Sequence, residues 1–285
     1  MAIEIISSGL ATTLQDGGRF GYQDQGIPVS GFMDGDAAHI ANLLLNNPPN
    51  AVMIEMTMVG IKFKAIQELV IAITGADMQP KLNGEALTMY KALTIPKDAV
   101  VSFSGAKNGV YSYIAVLGGF NIQDEFGSKS TYTPAKLGGF YGRKLEKGDV
   151  LPVPNKKITQ KLARVKAIDY KQNAQLYCLK GPEWDWFSEE SKTAFLETTF
   201  KIHQHSNRIG IRLEGTLLKM PKRDEIISSG IVKGTVQITK GGQPIVMMAD
   251  APTTGGYLRI VNLTQHACHT LAQIPPGGTV QFVLK

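Results

Sequence analysis

The stretches ELVIAITG at residues 68–75 and VYSYIAVLGG at residues 110–119 decide the fold class of this chain. Each is short, rich in β-branched and aromatic residues, and ends at glycine, as strands bounded by turns do. Clusters of Gly, Pro, Asn and Asp separate further runs of the same kind, and this alternation is typical of sheets and barrels. The sequence therefore predicts a mainly β protein. The further runs are VVSFSG at 100–105, QLYCLKG at 175–181, QPIVMMAD at 243–250, YLRIVNLT at 257–264 and TVQFVL at 279–284.

Two segments have the pattern of a short helix. Residues 34–46 begin with an aspartate in the N-cap position, and Ile40, Leu43 and Leu44 form an apolar stripe that we expect to face the core. Asn42 belongs to the opposite, polar face of this helix.

The second predicted helix covers residues 185–196 and follows a Gly-Pro pair. Phe187, Ala194 and Phe195 are its inward-facing candidates. With 30 glycines and 14 prolines in the chain, short elements are favoured over long helices throughout.

The length of 285 residues suffices for two domains of moderate size. The best boundary is the basic, proline-containing stretch after Val153. We therefore predict an N-terminal β domain at residues 1–153, a basic linker at 154–173 and a C-terminal β domain at 174–285.

The net charge of +6 is concentrated in this linker, where Asp169 is the single acidic residue between 155 and 172. No nucleic-acid-binding motif accompanies the basic residues. We interpret the segment as a solvated linker or a subunit-facing strip, and we expect no nucleic-acid partner. The basic residues are Lys156, Lys157, Lys161, Arg164, Lys166 and Lys171.

Motifs that the sequence lacks exclude several functional classes. It has no P-loop, no dinucleotide fingerprint after a strand, no HExxH helix and no GxSxG elbow. Its opening residues lack an apolar signal segment, and no run of about 18 apolar residues is present. We expect a cytoplasmic protein with no membrane partner, no metal site, and no cofactor bound by this chain alone.

The cysteines and two of the histidines carry little functional signal. Cys178 and Cys268 lack metal-ligand spacing, so we expect two buried free thiols in a reducing cytoplasm. His203 and His205 alternate along a predicted strand and point to one face. Because no third ligand lies near them in sequence, surface or packing roles are favoured over metal binding.

The first polar segment framed by glycines covers residues 13–34. Asp16 and Arg19 lie there across a Gly-Gly turn and can pair with each other or face a substrate together. Glycine allows bare backbone to approach a ligand, so such a segment is a candidate wall of a site.

The second such segment covers residues 126–149 and supplies hydroxyl groups on Ser128 and Ser130, with Arg143 next to a glycine. A pair of β-turns around an edge strand is the structural alternative for it.

The third and fourth segments lie in the second predicted domain. Arg208 and Arg212 are four residues apart, so on one strand they would share a face. Both guanidinium groups could then bind the same carboxylate or bicarbonate. Packing of their stems on the barrel wall is the alternative. Asp250 ends an apolar strand, and residues 253–256 (TTGG) are expected to form a turn whose N–H groups hold an oxyanion.

These segments resemble the signatures of the KipI antagonist (KipA) family. The same family is also described as the C subunits of 5-oxoprolinase, or as the biotin-dependent carboxyltransferases related to allophanate hydrolase subunit 2. The opening signature is TTLQDGGRFGYQDQGIPVSGFMD with Asn42 and Glu55. The sequence departs from the family at Ile209, where methionine is expected, and at Leu258, where proline is usual. The other matching motifs are GSKSTY, LGGFYGR, KGD, SNRIGIRLEG, SSGIVKGTVQI, GGQPIVMMAD and TTGGY.

The resemblance implies two cyclophilin-like β-barrel domains with a few short helices. It also implies a KipI-like partner, or the B subunit of 5-oxoprolinase, together with the A subunit of the same enzyme. ATP would act through these partner subunits, and biotin is a second candidate cofactor. Related urea carboxylases move CO2 from carboxybiotin to an amide nitrogen, whereas 5-oxoprolinase opens 5-oxoproline to glutamate.

Two functions of different classes follow. The first is an enzyme subunit that binds a small amide, 5-oxoproline before urea-like compounds. The second is a regulatory protein that binds a KipI-type inhibitor of a histidine kinase without chemistry of its own. Prolyl isomerase activity is discounted, because a fold does not imply a function.

For the enzyme, we expect an arginine to hold a carboxylate and an aspartate to orient or deprotonate an N–H group. The predicted catalytic residues are Asp16, Arg19, Arg208 and Asp250. The predicted substrate-binding residues are Ser128, Ser130, Arg143, Gln237, Thr253, Thr254, Gly255, Gly256 and Tyr257.

Overall fold

The computed structural model describes residues 2–156 and 164–285 of the chain. In these ranges the regular structure is mainly β, with 19 strands and three short α-helices, and this confirms the predicted fold class. Lys157 and Lys161 of the predicted basic linker lie outside the described residues.

Contacts divide the chain into two compact units. The first comprises Met1–Arg19 and Ser30–Tyr170, and the second comprises Phe20–Val29 and Lys171–Lys285. The predicted domains, 1–153 and 174–285, differ from these units at residues 20–29, which join the second unit, and at 154–170, which join the first. Composition carries no signal for such assignments, because the contacts that decide them are made by residues distant in sequence.

The strands of the first unit form two antiparallel sheets. Their bounds are β1 Ala2–Ser7, β2 Ala11–Gln15, β3 Met53–Thr57, β4 Lys62–Ala65, β5 Leu69–Gly75, β6 Lys81–Leu82, β7 Glu85–Ala86, β8 Ala92–Ile95, β9 Val100–Ser102, β10 Tyr111–Val116 and β11 Val150–Pro152. One sheet has the order β11-β1-β4-β9-β6-β7 and the other β2-β3-β10-β5-β8. The apolar stretches at residues 68–75 and 110–119 contain β5 and β10, which are neighbours in the second sheet, with Ile114 opposite Ile73. Both are buried along their whole length, which explains their continuous apolar character.

The helix of the first unit, α1, spans Gly35–Leu44, and the Asp34 side chain caps it by accepting from the Ala37 N–H group. The predicted cap is confirmed, but of the predicted apolar stripe Leu44 is buried and Leu43 is 69% exposed. Asn42, expected on the polar face, is buried and donates to the carbonyls of Pro49 and Ala51. Ala37, Ala38 and Ala41 are fully buried as well on this helix, which contacts β5.

The second unit contains a closed barrel of seven strands. The order β12-β19-β13-β14-β17-β16-β18 closes on itself because β12 also pairs with β18, and β15 adds beside β18 outside the ring. The β12–β19 pair is parallel. The bounds are β12 Asn173–Lys180, β13 Phe200–Ile202, β14 Gly210–Glu214, β15 Glu225–Gly230, β16 Thr235–Ile238, β17 Pro244–Met247, β18 Thr254–Leu263 and β19 Thr279–Leu284.

Two helices belong to this unit. The helix α2 spans Glu189–Glu197 with Ser188 as N-cap, and Phe195 is buried as predicted, stacked on Phe282 at a centroid distance of 4.4 Å. Phe187 is also buried but precedes the helix. The helix α3, Gln265–Ala272, was not predicted, although its Thr264 cap and its buried residues at 267, 268, 271 and 272 are a helix signal.

Across the described ranges, no helix has the length and the apolar character needed to cross a membrane.

Candidate functional site

Asp16 is buried and holds the loop at residues 128–130 of the first unit by hydrogen bonds. It is 8% exposed, and its Oδ1 accepts from the hydroxyls of Ser128 at 2.7 Å and Ser130 at 2.6 Å. Its Oδ2 accepts from the Lys129 N–H group at 2.6 Å. The structure thus brings three predicted site residues together, but their bonds to one another favour a role in holding residues 128–130 in place.

Arg19 holds the same loop from its other side and is fully buried. Its Nε donates to the Glu125 carbonyl at 3.0 Å, and its Nη2 donates to the Ser130 carbonyl at 2.9 Å. Gly138, at a φ of +65°, lies so close that an added Cβ would meet the Ser130 carbonyl oxygen. In the sequence, glycines in this segment suggested a ligand site. In the structure, Gly138 is needed so that the backbone can pack closely on the buried Arg19 guanidinium.

Arg143 is engaged in a separate ion pair with Asp149. Its Nη1 and Nη2 donate to the two Asp149 carboxylate oxygens, each at 2.8 Å. The Arg143 bond holds the pKa of Asp149 below its usual value, and the same pair raises the pKa of Arg143. The role predicted for Arg143 in substrate binding stays a prediction.

A line of buried carboxylates and phenols, which sequence reasoning missed, runs through the first unit. Glu55 Oε2 accepts from the Tyr113 hydroxyl at 2.8 Å, and this hydroxyl accepts from the Asp34 N–H group at 2.8 Å. Asp34 Oδ2 accepts from the Tyr170 hydroxyl at 2.9 Å. Tyr170 in turn hydrogen-bonds to the hydroxyl of Tyr90. Asp34 and Glu55 belong to the opening signature, but nothing in the sequence joins them to three tyrosines.

The environment of these tyrosines keeps their hydroxyls protonated. Burial raises the pKa of Tyr113 well above its usual value, and the charges of Glu55 and Asp34 raise it further. Burial likewise raises the pKa of Tyr170 and of Tyr90. The line therefore consists of fixed hydrogen-bond donors beside two carboxylates that are each 1% exposed.

In the second unit, Arg208 and Asp250 form a bidentate pair. Arg208 Nε and Nη2 donate to Asp250 Oδ2 and Oδ1 at 2.8 and 2.9 Å, and the Asp250 N–H group donates to the Arg208 carbonyl at 2.9 Å. Their side chains are 16% and 8% exposed. The predicted embrace of an anion by Arg208 and Arg212 is wrong, because β14 begins at Gly210 and Arg208 points to Asp250 instead.

A second bidentate pair of the same unit provides a comparison. Arg259 Nε and Nη2 donate to the Glu183 carboxylate at 2.9 and 2.7 Å, and the side chains are 15% and 7% exposed. Burial alone would raise the pKa of Glu183, but the bonds and charge of Arg259 lower it below its usual value. The two pairs match in geometry and burial.

Gln237 lies beside Gly255 and Tyr257. Gln237 is 3% exposed, and its Nε2 donates to the Tyr257 carbonyl at 3.3 Å. A Cβ added to Gly255 would lie 2.8 Å from this Nε2 and would also meet Ile231 Cδ1. The structure thus brings together three predicted substrate-binding residues.

The predicted oxyanion turn at residues 253–256 is wrong. Thr254 begins strand β18, and Thr254 and Gly255 are paired with Gly230 and Ser229 of β15. The Thr253 carbonyl accepts from the Ile231 N–H group at 2.9 Å. The Gly-Gly pair predicted a turn, whereas in the strand Gly255 is needed for the tight contact with Ile231.

His203 and His205 lie on the same groove of the second unit as Arg212, with ring centroids 4.8 Å apart. His203 Nδ1 accepts from the His205 N–H group at 3.1 Å, and its Nε2 lies 3.3 Å from Glu214 Oε1. Both cysteines are buried and free, and burial raises the pKa of each thiol to about 11.

Comparison with protein families gives a match over most of the chain. Residues 25–284 match the family described as the carboxyltransferase domain, subdomain A and B. The chain belongs to this carboxyltransferase family. The resemblance found in the sequence motifs is thereby confirmed.

Curated relatives of this chain include proteins of two kinds. The C subunit of the 5-oxoprolinase of Escherichia coli is 36% identical over 282 residues, which cover 99% of this chain and 90% of that protein. The corresponding protein of Haemophilus influenzae is 32% identical, with 98% and 90% covered. The urea amidolyase of Saccharomyces cerevisiae is 29% identical, but the match covers 99% of this chain and only 16% of that protein.

Two solved structures share the fold over nearly the whole chain. The urea carboxylase of Kluyveromyces lactis matches with a TM-score of 0.91 and 27% identity, covering 99% of this chain and 27% of that one. The protein TTHA0988 matches with a TM-score of 0.90 and 27% identity, covering 99% and 55%. This chain thus spans about half or less of these solved chains. It is homologous to components of enzymes.

Proposed function

We propose that this chain is the C-type subunit of an ATP-dependent 5-oxoprolinase and that it contributes to a site for a small amide, with 5-oxoproline as the first candidate. The observation that carries the proposal is the similarity to the C subunits of 5-oxoprolinase. The E. coli C subunit is 36% identical over 99% of this chain and 90% of its own length, whereas the S. cerevisiae urea amidolyase is 29% identical.

In this proposal the remaining parts of the reaction come from other chains. The sequence has no nucleotide-binding motif, so ATP would be bound by partners resembling the A and B subunits of 5-oxoprolinase. Biotin stays a candidate cofactor carried by another protein, and no step proposed for this chain depends on it.

Arg208 and Asp250 are the best candidates for direct roles. Arg208 would bind the substrate carboxylate, because a guanidinium recognises carboxylates with paired donors. Asp250, which fixes two of the Arg208 nitrogens, would orient the ring N–H group of 5-oxoproline. Arg19 is less suited to such a role because it is fully buried, whereas the Arg208 side chain is 16% exposed. Asp16 is less suited because it already accepts from three donors of residues 128–130.

Reconstitution with the two partner subunits tests these roles. The purified chain, the partners, ATP and 5-oxoproline are mixed, and glutamate release is measured. We expect Arg208→Ala and Asp250→Ala to lower kcat/KM by about a hundredfold or more.

The Arg259–Glu183 pair is the matched control. Arg259→Ala removes the same group from a pair of the same geometry and burial, so it matches Arg208→Ala in lost stability. We expect it to keep activity within about threefold when assayed below its unfolding temperature. An equal loss of activity in Arg259→Ala, or full activity in Arg208→Ala, would overturn the assignment.

Carboxyl transfer to an amide nitrogen is the second candidate function, and the family match and the urea carboxylase structure favour it. Its test adds a biotin carboxylase, biotinylated carrier, ATP, bicarbonate and urea to the chain and follows urea-dependent ADP release. Turnover there without glutamate release from 5-oxoproline would favour this candidate. A tight complex with a KipI-like protein and no turnover in either assay would favour the regulatory role.

A further inference from the structure

A cavity of about 700 Å³ opens in the first unit and is lined by residues of that unit. One wall is the chain leading into β8, with Leu87, Met89 and Tyr90, and the other is the segment 164–168. Cavities of roughly 300–1,000 Å³ are the usual size for small-molecule sites. The cavity is therefore large enough for a ligand of several carbon atoms.

The two walls are held together by backbone and hydroxyl contacts. The Val165 N–H group donates to the Tyr90 carbonyl at 3.1 Å, and Lys91 and Arg164 form an isolated β-bridge. The Tyr90 hydroxyl accepts from the Gly75 N–H group at 3.1 Å and also bonds to Tyr170. These contacts fix the cavity walls before any ligand arrives, which reduces the entropy cost of binding.

The charge on the cavity is mainly positive. Arg164 and Lys166 both line it, and neither forms an ion pair with any residue that the structure describes. Asp77 is the acidic member of the lining, and its Oδ1 accepts from the Gln79 N–H group at 2.8 Å. Two cations facing one space without their own carboxylates are suited to an anion.

The rest of the lining is largely apolar. Leu87 and Met89 pack against the core of the first unit, and Val165 and Ile168 cover the opposite side. We propose that this cavity binds a small organic anion, with a carboxylate or phosphate head group against Arg164 and Lys166 and an apolar body between Met89 and Val165. The basic segment noted in the sequence would then supply a ligand site. This proposal is independent of the 5-oxoprolinase assignment.

Binding to the isolated chain tests it, with the Met89 methyl group as a local probe. The chain is labelled with 13C-methyl methionine, the Met89 signal is assigned from a Met89→Leu variant, and ligands are titrated by NMR. Hexanoate and hexyl phosphate carry the two head groups on the same apolar body, and acetate and hexanol lack one feature each. We expect the first two to shift the Met89 signal with affinities at least about tenfold higher than those of acetate and hexanol. Whichever of them binds more tightly identifies the head group.

Charge variants complete the test. Arg164→Ala combined with Lys166→Ala is expected to weaken binding by about tenfold or more. The control combines Lys97→Ala with Lys147→Ala, two exposed lysines elsewhere in the unit, and removes the same net charge without effect on binding. Absence of any Met89 shift, equal binding of hexanol, or an equal loss in the control would overturn the proposal.

Discussion

Asp16 and Ser130 are bonded to each other twice. The Asp16 N–H group donates to Ser130 Oγ at 3.0 Å, and the same hydroxyl donates to Asp16 Oδ1 at 2.6 Å. The two residues are 114 positions apart and almost fully buried. In the sequence these residues suggested catalysis. In the folded chain they connect the end of β2 to a long loop by hydrogen bonds.

We therefore expect Ser130→Ala to destabilise the fold by about 1–3 kcal/mol, because it leaves a buried carboxylate oxygen without one donor. Ser228→Ala, at an exposed serine, should change the free energy of unfolding by less than about 0.5 kcal/mol. Urea unfolding of both variants measures the difference. Equal stabilities would show that the two hydrogen bonds between Asp16 and Ser130 contribute no net stability.

Gly255→Ala is expected to lower stability by about 1–3 kcal/mol, because the new methyl group would displace Ile231 and the Gln237 amide. Gly230 of the neighbouring strand β15 is the matched control, since a Cβ there has open space. Gly230→Ala should be neutral or slightly stabilising. The unfolding temperatures of the two variants give the comparison, and a neutral Gly255→Ala would contradict the close packing at β18.

Stability should fall in acid because two carboxyls have lowered pKa values. Arg143 lowers the pKa of Asp149, and Arg259 lowers that of Glu183. Such groups release their protons more readily in the folded chain, so their contribution is present above the ordinary carboxyl range and is lost as the pH falls through the folded pKa. We expect the free energy of unfolding to decrease below about pH 4.

Two variants test which carboxyls cause this loss of stability in acid. Glu183→Gln and Asp149→Asn should each reduce the fall in the free energy of unfolding at low pH. Glu225→Gln, at a carboxyl whose side chain is 52% exposed, should leave that fall unchanged. Urea unfolding between pH 3 and pH 7 gives the profiles. An unchanged slope in both buried-pair variants would mean that other groups titrate there.

The thiols of Cys178 and Cys268 should be unreactive in the folded chain. Burial removes access, and with each pKa raised to about 11 the thiolate is scarce at neutral pH. Reaction with a thiol reagent should therefore follow the unfolding rate in urea. Rapid modification of either thiol in native buffer would contradict its burial.

Local patterns in the sequence predicted the class, the family and many of the elements. Continuous apolar runs such as residues 69–75 become fully buried strands, and Asp34 caps the first helix, because both depend on neighbours along the chain. The inward face of that helix could be predicted only in part. Leu44 is buried as expected, but three alanines and Asn42 are buried too and Leu43 is exposed, because the face is decided by packing against strands distant in sequence.

The tertiary structure alone decided which polar residues meet. Asp16 with Ser130, Glu55 with Tyr113 and Arg208 with Asp250 are each joined across 42 to 114 positions. Such pairs depend on which strands and loops become neighbours after folding, and no periodicity along the chain encodes that. The sequence by itself therefore determined a β-rich member of a carboxyltransferase family. Only the packed chain separated the arginine and aspartate that hold a loop from the pair that we propose for substrate binding.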